Sequence, residues 1–438
     1  MKNIKNWKLL YMLMAIVLVA LLTTTCEFGA EEDMSAEAGN PKSNLHIYTV
    51  EDLVKIANMG RENPYPEENV YELMNDIDLT DVNWIPIGSM ASPFKGTFKG
   101  NGYTISGFKL PDTQYSGFFG IAIGKDEHLV RIENLKIEVV KTTITNSRIA
   151  RLGVLAAWVD RTEIENVFVS GDDITISAPR EIYVGGIVGN VSGSTFGNTF
   201  CYVNITKCAS DISLSATFTS NNGSCTVGGI IGNMDTGIDS IITSCYTKGD
   251  ITATNNNYIY STANANAGGI VGQARNVEIS SCYSTGEIEA STRLGRPCAG
   301  GITGHAANTI IERCVAFNSR IATESSSSSN YYLGRISGYV QSATFTNNIA
   351  DKNISLQTRI WSWWWTSPSI SETDPKNGLA VDINSLTETV YCRTGTVTVR
   401  NSDKRITGGG LSWSEDEWDF TSQPPELKWL YPPVAALE

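Results

Sequence analysis

Asp250 and Glu287 are the two carboxylates whose placement best fits acid–base chemistry. Each stands five residues after a Cys (Cys245, Cys282) and just before an Ile. If these were equivalent slots in successive repeats, the carboxylates would face outward about 5 Å apart, a separation that suits a retaining glycosidase. The plainer reading is an exposed polar position beside an inward Ile, with Asn353 filling it elsewhere, so no catalytic residue is assigned. Asp76, Asp78 and Asp81 have a spacing that could serve calcium, but three acids fall short of the roughly six to eight oxygens the ion takes. The only histidines are His46, His128 and His305, and there is no His-Glu-x-x-His, Gly-x-Ser-x-Gly or Gly-x-x-x-x-Gly-Lys-Ser/Thr. Zinc peptidase, serine hydrolase and NTP hydrolysis therefore lack their motifs. His305 occupies a slot held elsewhere by Asn190, Asn233 and Gln273 and reads as a turn residue. No metal and no cofactor is expected.

Binding chemistry is better supplied. Polar loops rich in Asn, Ser, Thr and Tyr recur around Pro179–Tyr183, Thr217–Ser224, Asn255–Asn266, Ser291–Pro297 and Ser325–Tyr332. That composition joins adaptable hydrogen bonding to rigid aromatic contact. The candidate binding residues are Tyr183, Asn255, Asn257, Tyr258, Tyr260, Tyr331 and Tyr332, with Trp361, Trp363, Trp364 and Trp365 able either to stack on sugar rings or to pack on the last repeat. With 33 Lys and Arg against 46 Asp and Glu, the formal charge of −13 excludes nucleic acid as a partner.

What must position these residues is a repeat. One phrase recurs as SGFFG (116–120), LGVLAAW (152–158), VGGIVGN (184–190), VGGIIGN (227–233), AGGIVGQ (267–273), AGGITGH (299–305) and LGRISGY (333–339). A second follows it, as in IENLKI (132–137), IENVFV (164–169), ITSCYTKGDI (242–251) and ISSCYSTGEI (279–288). Alternation of period two with no helical period makes three short strands per unit, with Gly expected at corners that need positive φ. Such units stack into an all-β parallel β-helix whose like residues form ladders. Asn134, Asn166, Cys208, Cys245, Cys282, Cys314 and Asn348 are expected to share one inward slot, and Cys201, Cys225, Cys298 and Cys392 are the better disulfide candidates. Thr49 should cap a short helix with Val50, Leu53, Val54 and Ala57 on one face, closed by Gly60, and the Trp-rich end should form an aromatic cap.

The first segment reads as an address. Lys2, Lys5 and Lys8 precede an uncharged apolar stretch of 14 residues, Leu9–Leu22, and then Thr23–Thr25 and Cys26. It is shorter than the roughly 20 residues of a membrane-spanning helix. A small-residue run ending in Cys resembles a lipobox, making Cys26 the lipidated residue, and Glu27, Glu31, Glu32 and Asp33 resemble the acidic surface-export signal of Bacteroides-type bacteria. The divisions are a signal peptide (1–25), a flexible acidic tether (26–44), an N-terminal cap with the first coils (45–114), the repeat (115–357) and a C-terminal cap region (358–438).

DLVKIAN, NDIDL, WIPIG, FKGTFKGNGYTISG, GFFG, IENLKI and the repeated VGGIVGN together resemble the GLUG-repeat family of bacterial surface proteins, over roughly residues 46–350. The resemblance implies a right-handed parallel β-helix of the kind found in adhesins and in non-catalytic parts of some IgA-specific metallopeptidases. It carries over no catalytic residue. The expected protein is an outer-membrane lipoprotein, exposed on a Gram-negative cell surface and joined to the membrane by its lipid alone. It would act as an adhesin or binding scaffold for a host or matrix protein, a glycoprotein or a polysaccharide. A carbohydrate-active or glycan-capturing β-helix and a passive surface spacer are the alternatives.

Overall fold

The computed structural model describes residues 43–438 except 146, 194–200, 221–222, 259–263, 327–330, 361–363, 370, 372–373, 382–395, 401–404, 410, 422–423 and 429–438. The expected signal peptide, Cys26 and nearly all of the tether lie outside the described residues, as do Tyr260, Trp361, Trp363 and Cys392.

The chain forms a parallel β-solenoid. One long sheet has 23 strands, and two further sheets have seven strands each. A representative coil runs from Cys225–Gly228 in the second sheet to Ile231–Thr243 and Tyr246–Thr247 in the long sheet. It continues through Ile251–Asn255 in the third sheet to Asn264–Gly268, which begins the next coil. In-register pairing sets Ile251 on Leu214 and Ile288 on Ile251, so each alternating strand buries the same column of branched side chains. The first coils are filled by larger groups. Trp84 stacks on Phe118 at 4.9 Å, and Phe98 meets Phe119 edge-on at 5.4 Å.

The repeated glycines do not serve the purpose expected from the sequence. None of those in the GGI phrases has positive φ. They let backbones touch at the bend between the second and long sheets: a Cβ on Gly228 would stand 2.0 Å from the Ile231 carbonyl oxygen and 2.5 Å from the Gly272 nitrogen of the next coil. The left-handed corners fall instead to a column of non-glycine residues. Asn134, Asn166, Lys207, Ser244, Ser281, Arg313 and Asn347 all have φ between 53° and 56°.

That column corrects the expected Asn/Cys ladder by one residue. Pairing of Glu165 with Thr206 and of Phe168 with Ala209 aligns Asn166 with Lys207 and Val167 with Cys208. The inward column is therefore Leu135, Val167, Cys208, Cys245, Cys282, Cys314 and Asn348, while Asn134 and Asn166 turn the corner beside it, where Asn tolerates the left-handed region. Each thiol points to the carbonyl two residues back, at 3.2 Å for Cys245 and 3.1 Å for Cys282. Asn348 ends the stack by accepting from the Cys314 N–H at 2.9 Å and donating to the Ile311 carbonyl at 2.7 Å. Cys201, Cys225 and Cys298 are buried free thiols and form no disulfide. Burial pushes the thiols of Cys225 and Cys298 up to about 12.

The helix spans Val50–Glu62, with Thr49 and Asp52 in a reciprocal capping box. It runs two residues past Gly60, whose place is set by the Tyr65 ring: a Cβ there would lie 2.3 Å from Tyr65 Cε2. Asn101-Gly102 forms a tight turn with φ of 52° and 81°. It is a solenoid corner rather than a hairpin, since Thr97–Lys99 and Thr104–Phe108 both pair parallel to Val130–Val139.

Aromatic residues near the C-terminus lie along the flank of the coils. Leu411, Trp413, Trp418 and Leu427 pack on Tyr246, Tyr283 and Val315. Tyr246 and Tyr283 stack at 4.9 Å with planes 1° apart, and Trp418 leans on both. The segment is fastened by Trp413 Nε1 donating to the Arg313 carbonyl (2.8 Å), Tyr283 Oη donating to the Pro425 carbonyl (2.7 Å) and Ser244 Oγ donating to Glu417 (2.6 Å). Lys248 adds an ion pair to Glu426 at 2.5 Å.

Candidate functional site

Five polar segments singled out in the sequence all connect the third sheet to the second, so the solenoid brings them to one corner in successive coils. Within that corner the chosen residues divide. Asn255 is buried, its amide donating to the Gly223 and Asn264 carbonyls at 3.1 and 3.0 Å and its Oδ1 accepting from the Asn257 N–H at 3.0 Å. Asn257 is buried with it, so both hold the loop rather than face solvent. Tyr331 packs partly buried against the core, and Tyr332 meets Tyr339 edge-on at 4.5 Å. Tyr183 lies under the Arg151 guanidinium, 4.2 Å from the ring centroid, and burial with Glu181 nearby pushes its phenol up to about 12. Tyr258 does face out. It is 57% exposed, with Arg293 of the next coil 5.8 Å above its ring.

Beside this corner the third sheet presents a flat outer face. Alternation that sends Ile174, Leu214 and Ile251 inward sends hydroxyls outward in two rows. One row is Thr143, Thr175, Ser215 and Thr252; the other is Ser177, Thr217, Thr254 and Ser291. Strand geometry spaces them about 4.8 Å along a row and about 6.6 Å between rows. None of these eight side chains has a hydrogen-bond partner among the described residues, so all are free for a ligand or water.

The last coils replace the hydroxyls by a charged and aromatic patch. Arg320 donates to Glu289 Oε2 at 2.8 Å and to Gln357 Oε1 at 3.0 Å, and Arg359 pairs with Glu324. An antiparallel bridge between Thr358 and Thr366 folds the chain back so that the Trp365 ring lies 4.7 Å from each of Arg320 and Arg359. Adjacent Trp364 is 79% exposed.

Asp250 and Glu287 hold neighbouring coils together, in line with the plainer reading of an exposed polar position. Asp250 Oδ1 accepts from the Glu287 N–H at 2.7 Å, and Glu287 reaches Arg320 at 3.4 Å. Asp172 and Asp173 bind backbone N–H groups of adjacent coils in the same way, at 2.9 and 3.2 Å. Acids at the corner between the long and third sheets clip coils together. Asp76 accepts from the Thr104 N–H at 2.7 Å, and the hydroxyl and N–H of Thr80 hold the Asp78 carboxyl below its usual range. No group of three metal-ligating side chains occurs among the described residues.

Sequence reasoning missed a polar seam at the Gly bend. His305 is in the strand Thr303–Ala307, not in a turn. It belongs to an outward column Trp158, Asn190, Asn233, Gln273, His305 and Tyr339. A facing column from the second sheet is Arg151, Tyr183, Thr226, Asn266, Cys298 and Tyr332. Asn266 Nδ2 donates across the seam to Gln273 Oε1 at 3.3 Å, and Asn233 Nδ2 donates to Asn190 Oδ1 at 2.8 Å. The signal lay in polar or aromatic pairs seven residues apart that bracket each Gly-rich bend.

No family model matches the chain. An alignment 99 residues long, covering 21% of this chain, shows 34% identity to a protein of Evansella cellulosilytica named as a Gly-rich membrane protein. The chain spans only 11% of that relative's length. Among solved structures, a Bacteroides ovatus protein described by name as an immunoglobulin A1 protease superposes with a TM-score of 0.53 at 18% identity, over 88% of this chain and 92% of that one. This second likeness establishes the shared fold.

Proposed function

We propose that this chain is a GLUG-type surface lipoprotein that binds glycan, either polysaccharide or the sugar of a host or matrix glycoprotein, without turnover. The observation that carries the reading is an exposed Trp364 just after the last strand of the third sheet, whose earlier strands present two rows of unpartnered hydroxyls. Planar aromatics take the apolar face of a sugar ring, while regularly spaced hydroxyls meet its hydroxyl groups. The carboxylates that would support hydrolysis are committed to backbone groups and arginines. Surface placement is supported by the membrane-protein name of the Evansella relative.

Two measurements test this reading. On a glycan and matrix-protein array, the full chain should show saturable binding without product, and Trp364→Ala should weaken it about tenfold, as loss of an aromatic anchor does. Product formation would overturn the non-catalytic reading, and silence on every ligand would favour a passive spacer. For the anchor, Cys26→Ala should remove palmitate label and release the protein from membranes; a variant that keeps its label is not a lipoprotein at Cys26.

A further inference from the structure

We infer that the cavity at the C-terminal end of the helix is a second ligand site, for a terminal sugar residue bearing a carboxylate. This inference rests on the glycan reading above and names an acidic class of ligand for a different part of the molecule. The cavity measures about 450 Å³, within the range of about 300 to 1,000 Å³ typical of small-molecule sites. It lies between the last helical turn and the loops that carry Ser89–Ser92 and Thr113–Tyr115.

Its charge is the first argument. Arg61 is the only charged residue in the lining, in a chain whose formal charge is −13. Arg61 has no carboxylate within ion-pair distance among the described residues, so its guanidinium is uncommitted. One planar guanidinium among neutral groups matches one carboxylate through paired N–H donors; a doubly charged phosphate would call for more cations.

The remaining walls suit a sugar ring. Met90 is 48% exposed and gives an apolar side. Tyr115 is a fixed aromatic, stacked at 6.1 Å on Trp158, whose indole N–H donates to the Ser192 carbonyl at 3.0 Å. Gln114 is held through its main chain, since its carbonyl accepts from the N–H groups of Ala150 and Arg151 at 3.0 and 3.1 Å. Its side-chain amide has no partner among the described residues. Ser92 contributes a buried hydroxyl without a partner. An apolar wall, an aromatic ring, an amide and a hydroxyl around one arginine form a recognition set for a ring that carries both hydroxyls and an acid.

Calorimetry on the full chain tests this with N-acetylneuraminic acid and glucuronic acid, using glucose, N-acetylglucosamine and acetate as controls. At least one sugar acid should bind at least about tenfold more tightly than the controls, and Arg61→Gln should remove about tenfold of that affinity, the weight of a charge-assisted hydrogen bond. The titrations are run on the full chain carrying Trp364→Ala, so that sugar held at the third-sheet face adds nothing to the heat. Equal binding of neutral sugars, or indifference to Arg61→Gln in a variant of unchanged thermal stability, would overturn the site. Acetate binding as tightly as the sugar acids would reduce it to an anion contact and overturn the sugar assignment. Array binding that depends on Trp364, with no sugar acid bound, would remove this inference alone. Sugar-acid binding that depends on Arg61, with a silent array, would remove the third-sheet reading alone.

Discussion

Replacing Gly228 by alanine is expected to lower the free energy of unfolding by about 3 kcal/mol, the upper end of what overpacking costs in a closed interior. The methyl group would meet the Ile231 carbonyl oxygen at 2.0 Å and the Gly272 nitrogen at 2.5 Å. Both are backbone atoms, and each is tied into the ladder of its own coil, so neither can swing aside as a side chain would. The same approach recurs at Gly185, Gly268 and Gly300, where a Cβ would lie within 2.4 Å of a carbonyl oxygen. Gly102→Ala is the contrast: its φ is 81° but nothing lies within 4 Å of the added carbon, so only backbone strain of about 1 kcal/mol applies. Urea unfolding followed by circular dichroism should separate the two variants clearly. Equal midpoints would mean that the bend is not closed by backbone contact.

A second large effect belongs to pH. Burial, reinforced by Arg275, lowers the His305 pKa from 6.5 to about 4. Above about pH 6.5 the imidazole is neutral in folded and unfolded chains alike, and the full stability is present. As pH falls toward 4 the unfolded chain takes up a proton that the folded chain refuses, so stability drops by up to about 3 kcal/mol across that window. Around this imidazole stand Gln273 and Tyr339 in its own column, Cys298 in the facing column and the Arg275 guanidinium, itself 4.0 Å from Asp235; among the described residues no carboxylate lies in the two columns of the seam to offset the cost. His305→Gln, which repeats the residue one coil below, should flatten the profile between pH 4 and 6.5. The carboxyls of Asp52, Glu67 and Asp78 are held below their ordinary values, so what they contribute is lost as pH falls through the carboxylate range, equally in both proteins. A slope that persists in the variant would assign the effect to another group.

The solenoid was legible because seven copies of one phrase cannot each bury a face alone, and stacking is the way period-two strands with short turns bury it together. The phase of the columns was less so. By residue type alone Asn134 and Asn166 align with the cysteines, since both suit a slot next to free backbone groups. At a left-handed corner the inward and outward alternation breaks, and the side chain after the corner is the one that enters the core. His305 differs for a related reason: a Gly-rich phrase reads as a turn, whereas here the glycines permit two strands to fold tightly against each other. Of the candidate binding residues among the described ones, Tyr258 and Trp364 stand well out, while Asn255 and Asn257 turn inward. Composition marks a loop as polar, but it does not distinguish amides that meet solvent from those that close the loop on itself.

The flanking C-terminal segment changes how such a stack would yield under load. Its partners Lys207, Ser244, Lys248, Tyr283 and Arg313 belong to four successive coils. In a plain stack the outermost coil can peel away after breaking one interface, and each loss exposes the next. Here the segment lies across the layers like a splint, so a pull along the axis loads its ion pairs and indole contacts in parallel, as shear, rather than one after another. The coils it spans are then the last to part.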